Sequence, residues 1–192
     1  MNRTHLTKIE MASALARGVR QLVFIGTPKP APDQVTVALD DGTLQLFAVD
    51  EEGASKSTGT FVPTRFESEE LAMALSRSGF DKLKASLFIW LGDARYRTME
   101  TAISTLSFIA SLPKGSGVVF DYAERRSSPG SYVGTALDGL ASRFSCASDA
   151  AKHLIQPQAV AAMLRGVGFG QMTDHIDEEL ERFDGHIVCA FV

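Results

Sequence analysis

Residues 85–122, ASLFIWLGDARYRTMETAISTLSFIASLPKGSGVVFDY, constrain the fold of this chain more than any other stretch. Residues 85–90 are an apolar run of strand length, suited to burial on both faces. From Thr98 onward, Ile103, Leu106, Ile109 and Ala110 recur at helical spacing, with Ser and Thr between them. Pro113 and Gly115 end that helix, and residues 117–122 form a second apolar strand. Two buried strands joined by a helix make a right-handed βαβ unit, so the strands run parallel. Ligands in such sheets bind beyond the carboxyl ends of the strands, which directs attention to residues 91–96 and 121–124.

The remaining chain extends this unit in both directions. Its 192 residues suit a single domain, residues 1–192, with a sizeable core. Residues 5–17 carry one apolar helical face, and residues 21–25 (QLVFI) form a short buried strand. A helix over 34–39 opens after Pro32 and closes before Asp41-Gly42. Strands over 43–49 and 60–64 follow, and Ser68 is placed to cap a helix over 69–78. Beyond Tyr122, residues 124–134 (ERRSSPGSYVG) have loop chemistry, and an Ala/Leu/Ser-rich helical stretch runs to about Lys152. A further helix follows Pro157, and strands over 170–176 and 185–192 are joined too tightly for a crossover. That last pair is therefore antiparallel. The expected architecture is a doubly wound α/β domain around a seven-stranded, mostly parallel sheet with a terminal antiparallel pair.

Charge narrows the partners. The net charge is −4 and no Lys/Arg cluster occurs, which argues against a nucleic-acid footprint and a polybasic membrane patch. Asp174, Asp177, Glu178, Glu179, Glu181 and Asp184 stand against Arg182 and read as a solvated surface turn. No segment approaches membrane-spanning length, and the start of the chain lacks a hydrophobic signal core. Cys146 and Cys189 form neither a C-x-x-C pair nor a disulfide framework, and the expectation is a reduced, cytoplasmic protein. His5, His153, His175 and His186 show no metal-ligand spacing and no recognisable partner acid, so no metal is expected. There is no G-x-S-x-G elbow and no P-loop.

Several phrases are more specific than the pattern. ARGVRQLVFIG (16–26), LQLFAVD (44–50), TFVPTRFESEELAMALSRSGFD (60–81), FIWLGDARYRTMETAISTLSFIASLPKGSGVVFDY (88–122) and GVGF (166–169) occur in that order. Together they resemble the leucine carboxyl methyltransferase-like family, which uses S-adenosylmethionine (SAM) to methylate carboxyl or hydroxyl oxygens. The resemblance implies the Rossmann-like class I methyltransferase fold. It also implies SAM as cofactor, held at the strand ends by Gly26, Thr27, Asp50, Phe66, Leu91 and Gly92. Asp93, Tyr96, Asp121 and Tyr122 are the substrate-side candidates.

The chain departs from that family at the positions that matter for the cofactor. The glycine turn after the first strand, G-x-G-x-D-like in the family, stands here as Gly26-Thr27-Pro28-Lys29-Pro30. Two prolines remove two N–H donors and turn Thr27 and Lys29 away from helical geometry. The family's E-V-D is Ala48-Val49-Asp50, which keeps one acid of two. Its V-x-V-D-F is Val62-Pro63-Thr64-Arg65-Phe66, where an arginine cannot accept from an adenine amino group. Its E-G-x-x-x-Y-L is Leu91-Gly92-Asp93-Ala94-Arg95-Tyr96-Arg97, so the glutamate is a leucine. Deleting one charged hydrogen-bond partner costs about 1.5–3 kcal/mol, and several losses weaken binding by orders of magnitude. Only about twenty residues precede Gln21, so the family's N-terminal lid is expected to be missing.

Plainer readings accompany the candidates. Asp93 and Arg95 suit a surface ion pair, Tyr96 suits packing, and Asp50 suits the opening of a loop. Two functions remain: a non-catalytic relative serving as a binding or assembly module, and an active O-methyltransferase with a remodelled site for a small molecule or a peptide. A lost lid would leave Leu91 and Phe66 exposed, to be covered by a partner or a second copy of the chain in a homo-oligomer.

Overall fold

The computed structural model describes residues 3–26, 33–50, 59–64, 71–92, 98–124, 154–177 and 185–192. Its sheet is built on five parallel strands: β1 (Gln21–Ile25), β2 (Gln45–Asp50), β3 (Thr60–Pro63), β4 (Ser86–Trp90) and β5 (Gly117–Glu124). Two more strands, β7 (Gln171–Asp177) and β8 (Gly185–Phe191), complete the order β3-β2-β1-β4-β5-β8-β7. Strand β8 runs antiparallel to both β5 and β7, as the tight connection between the last two strands requires. The expected seven-stranded sheet with its antiparallel pair is thus present. An unforeseen two-residue strand, β6 (Leu154–Ile155), pairs in parallel with Ala123 and Glu124. That pairing, with β8 on the other side, carries β5 two residues past its expected end.

Helices cover both faces. Helices α1 (Arg3–Ala16) and α2 (Asp33–Asp40) bury Leu6, Met11, Ala14, Val35 and Ala38 against Leu22, Phe24, Leu87, Ile89 and Val119. On the other face lie α3 (Leu71–Arg77), α4 (Met99–Ala110) and α5 (Pro157–Val167). Their Leu75, Leu106, Ile109 and Leu164 pack on Val23, Phe47, Phe88 and Val118. A strand alternates its side chains, so these two clusters are the odd and even residues of the same strands. Strands β1 and β4 are buried throughout, which is why they read as unbroken apolar runs.

Local chemistry fixes the ends of the elements. Thr98 caps α4 by accepting from the Thr101 amide at 3.2 Å, and Pro157 opens α5. At the amino edge of the sheet, buried Gln21 donates to Asp81 O at 2.8 Å and Ser86 Oγ at 2.9 Å. Its Oε1 accepts from the Asp81 amide at 2.8 Å, so both ends of this buried amide are satisfied. Helix α3 occupies 71–77 of the expected 69–78; its foreseen cap Ser68 and the helical stretch before Lys152 lie outside the described residues.

Candidate functional site

The carboxyl ends of the parallel strands line one rim, in the order Thr64, Asp50, Gly26, Leu91-Gly92 and, within β5, Asp121. This is where a sheet of this kind receives a ligand. Gly26, Asp50, Leu91, Gly92, Asp121 and Tyr122 are described; Thr27, Phe66, Asp93 and Tyr96 lie outside the described residues.

After β1 the chain turns at Gly26, whose φ of +80° suits glycine. The Gly26 amide donates to Val49 O at 2.8 Å, so the first N–H of the turn serves the sheet. Asp50 closes β2 beside Pro63 and is the acid retained at this rim, partly exposed. Its carbonyl accepts from the Thr64 amide at 3.1 Å, which fixes the β2 and β3 ends together. Among the described residues, Thr64 Oγ1 and Trp90 Nε1 are buried side-chain atoms without a hydrogen-bond partner, and both stand at this rim.

Leu91 corrects one expectation. It is 3% exposed rather than an open apolar patch, because it packs in the cluster that α1 contributes to. Next to it the Gly92 amide donates to Asp121 Oδ1 at 2.7 Å, and Arg3 Nη2 donates to Asp121 Oδ2 at 2.7 Å. Asp121 is 2% exposed, so a buried carboxylate has both oxygens engaged, one by the loop after β4 and one by the first residue of α1. Nothing in the sequence marked Arg3 as part of this rim.

Tyr122 faces the opposite side of the sheet and is likewise buried. Its hydroxyl donates to Asp174 Oδ2 at 2.6 Å. The His186 ring stacks on the tyrosine ring at 4.9 Å and 17°, and its Nδ1 lies 2.9 Å from Asp174 Oδ1. His186 therefore does have a partner acid, contrary to the expectation from spacing. Asp174 belongs to β7 rather than to a solvated turn. The two residues sit diagonally across the β7–β8 ladder, where Asp174 opposes Val188 and Ile176 opposes His186. The hairpin's register was the signal that could have found them.

At this rim the Gly26 amide donates to Val49 O, the β4 strand leads into the buried Leu91, and the buried Asp121 pairs with Arg3. Cys189 offers no nucleophile: burial foremost, then the Glu10 and Asp174 charges, push its thiol up to about 12. Among the described residues no group of three His, Cys, Asp or Glu is placed to hold a metal ion, and no helix is long and apolar enough to cross a membrane.

No protein-family model matches the chain, and no curated protein sequence matches it. Solved structures do. A putative O-methyltransferase from Nostoc punctiforme is 14% identical at a TM-score of 0.53, over 97% of this chain and 57% of that one. Human N-acetylserotonin methyltransferase in complex with SAM is 12% identical at 0.52, over 98% of this chain and 53% of that one. The Synechocystis magnesium protoporphyrin IX methyltransferase with bound S-adenosylhomocysteine (SAH) is 12% identical at 0.52, covering 98% and 82%. This chain thus spans little more than half the length of the first two. It has the Rossmann-like class I fold of the SAM-dependent methyltransferases.

Proposed function

We propose that this chain is a methyltransferase-fold protein, akin to the leucine carboxyl methyltransferase-like family, that no longer transfers methyl groups efficiently and works as a binding or assembly module. In this reading residues 1–192 act as one cytoplasmic domain with a small-molecule or self-association partner, and without nucleic acid, membrane or metal. The observation that carries it is the β4 end: buried Leu91 stands where the family places a glutamate, beside an Asp121 already neutralised by Arg3. Together with the prolines at 28 and 30, this supports a weakened site for a SAM-like ligand, whose candidates are Asp50 and, as framework, Gly26, Thr27, Phe66 and Gly92.

Thermal unfolding with SAM and SAH tests the reading. Ligand at about 100 times its Kd stabilises by about 2.7 kcal/mol, which moves the Tm of a chain this size by about 5–10 °C. A Kd near about 1 mM gives only about 0.4 kcal/mol at equal ligand, or about 1 °C. The expected shift with about 1 mM SAH is of that smaller size. A shift of several degrees, with a change in the emission of the single tryptophan, Trp90, at the rim, overturns it.

The second reading, an active O-methyltransferase on a carboxylate or hydroxyl, is favoured by Asp174 and His186. A carboxylate-paired imidazole is the kind of proton acceptor that a hydroxyl substrate needs and a carboxylate substrate does not. Asp93 and Tyr96 would complete its substrate side. Methyl incorporation into small hydroxyl or carboxyl acceptors, lost in His186→Gln only for the hydroxyls, establishes this reading over the first.

A further inference from the structure

We infer that the amino edge of the sheet, opposite the rim, is a cationic docking surface for the acidic stretch 177–184 (DEELERFD) of a second copy of this chain. The inference deepens the assembly role proposed above and rests on that reading, but not on the state of the SAM crevice.

The chain carries −4 overall and its cations are scattered in sequence, yet the fold sorts them. Apart from Arg3 and Lys8, every described Lys and Arg stands at the carboxyl end of a helix or in a turn leading into the amino end of a strand. Helix dipoles account for Arg77 and Arg165, in the last turns of α3 and α5. They do not account for Arg20 before β1, Lys82 and Lys84 before β4, or Lys114 before β5. These strands are neighbours, and β8, next to β5, ends on the same edge at Phe191, whose ring lies 4.6 Å from the Arg17 guanidinium. Neighbouring strands lie about 4.8 Å apart, so these five cations occupy a strip about 14 Å long.

All five are exposed. Lys84 pairs with Asp81 at 3.4 Å, whereas Arg17, Arg20, Lys82 and Lys114 have no carboxylate partner among the described residues. Arg17 and Lys82 lie over the rings of Phe191 and Phe108 instead, and Arg20 donates to Val19 O at 2.9 Å. The other negative groups on this edge are the Val192 carboxylate and, to the side of β2, Asp40 and Asp41. Among the cations stands Leu83, 87% exposed, the most exposed large apolar side chain of the described residues.

The complement lies in the same sequence. Residues 177–184 carry Asp177, Glu178, Glu179, Glu181 and Asp184 against Arg182, with Leu180 and Phe183 among them. Cations around an exposed leucine thus match acids around two apolar residues, and such a match in sign both steers and selects a partner. The stretch cannot serve its own copy. Its ends are held at the rim, where Asp177 opposes Gly185. The chain between them, laid out and back, reaches about 14 Å, whereas the amino edge lies about 20 Å away along β8. The occupant is therefore a second copy, and two copies lying inverted side by side make the contact twice.

Sedimentation velocity of the full chain tests the inference. At about 20 mM salt the weight-average mass should rise above that of the monomer between about 5 and about 200 µM chain. It should return to the monomer's at about 0.5 M salt, where the Debye length falls to about 4 Å. Lys82→Glu/Lys84→Glu/Lys114→Glu and Glu178→Lys/Glu179→Lys/Glu181→Lys should each be monomeric throughout. An equimolar mixture of the two variants should associate again, because one presents two acidic surfaces and the other two basic ones. Misfolding of either variant does not produce that rescue. The inference fails if the wild type is monomeric at low salt over the whole concentration range, if its association survives high salt or either reversal, or if the mixture stays monomeric. A monomeric wild type that heparin retains, with the retention lost in the lysine reversal, assigns the edge to another polyanion and equally overturns the inference. The SAH titration above reads the rim, so a large shift there removes the non-catalytic reading and leaves this association standing, while a monomeric chain removes the self-association alone.

Discussion

Replacing Asp174 with alanine removes the acceptor on which Tyr122 and His186 converge, and its cost follows from the geometry. The Tyr122 hydroxyl, in a residue 5% exposed, loses a carboxylate acceptor at 2.6 Å and is left without that partner in the core. A charge-assisted bond of this kind is worth about 1.5–3 kcal/mol. The His186 contact at 2.9 Å adds less, because the Asp174 side chain is 35% exposed and water substitutes on that side. The sum is about 2–3 kcal/mol, or a Tm lowered by about 4–12 °C for a chain of this size. Urea unfolding of Asp174→Ala, Tyr122→Phe and the double variant measures it. Tyr122→Phe should cost about 1 kcal/mol in the wild type and less in Asp174→Ala, where the carboxylate it bonds is already gone. Asp174→Ala within about 0.5 kcal/mol of the wild type, or equal cost of Tyr122→Phe in both backgrounds, would refute the network as a stabilising unit.

Three further outcomes are expected. Gly59→Ala should destabilise by at least about 2 kcal/mol in the same unfolding assay: φ is +111°, and a Cβ there would lie 2.8 Å from the Leu46 side chain and carbonyl oxygen. Leu91→Glu, which puts the family's acid back, should not raise SAH affinity; it should lower stability by about 3–5 kcal/mol, since the position is 3% exposed in the apolar cluster that α1 joins. Cys189 should resist iodoacetamide at pH 8 in the folded chain and react once urea unfolds it. Its folded thiol is raised from 9.0 to about 12, so the stability it contributes is complete below pH 9 and lost as pH climbs from 9 to 12; Cys189→Ala should flatten that alkaline decline.

Which of these features could be read from the sequence follows from how far apart the interacting residues lie. Phe88, Ile89 and Trp90 are buried on both faces of β4, so burial leaves its mark on consecutive residues and the βαβ unit is visible at once. The two-residue β6 leaves no such mark, because only its pairing with Ala123 and Glu124 makes it a strand. Asp174 and His186 look unrelated until the β7–β8 register places them diagonally on one face. A rim without a lid implies an exposed Leu91, whereas α1, visible as an amphipathic stretch, shares its cluster. The candidate site divides in the same way. Gly26, Asp50 and Asp121 could be named from strand ends alone, since a strand's end is a local property. Whether such a group is available to a ligand is not local. The Gly26 amide is committed to Val49 on the neighbouring strand, and the Asp121 carboxylate to an arginine 118 residues away. Sequence motifs identify which polar groups reach the rim, but the residues that already occupy those groups decide what the rim can bind, and in this chain the occupant of the buried acid is its own first helix.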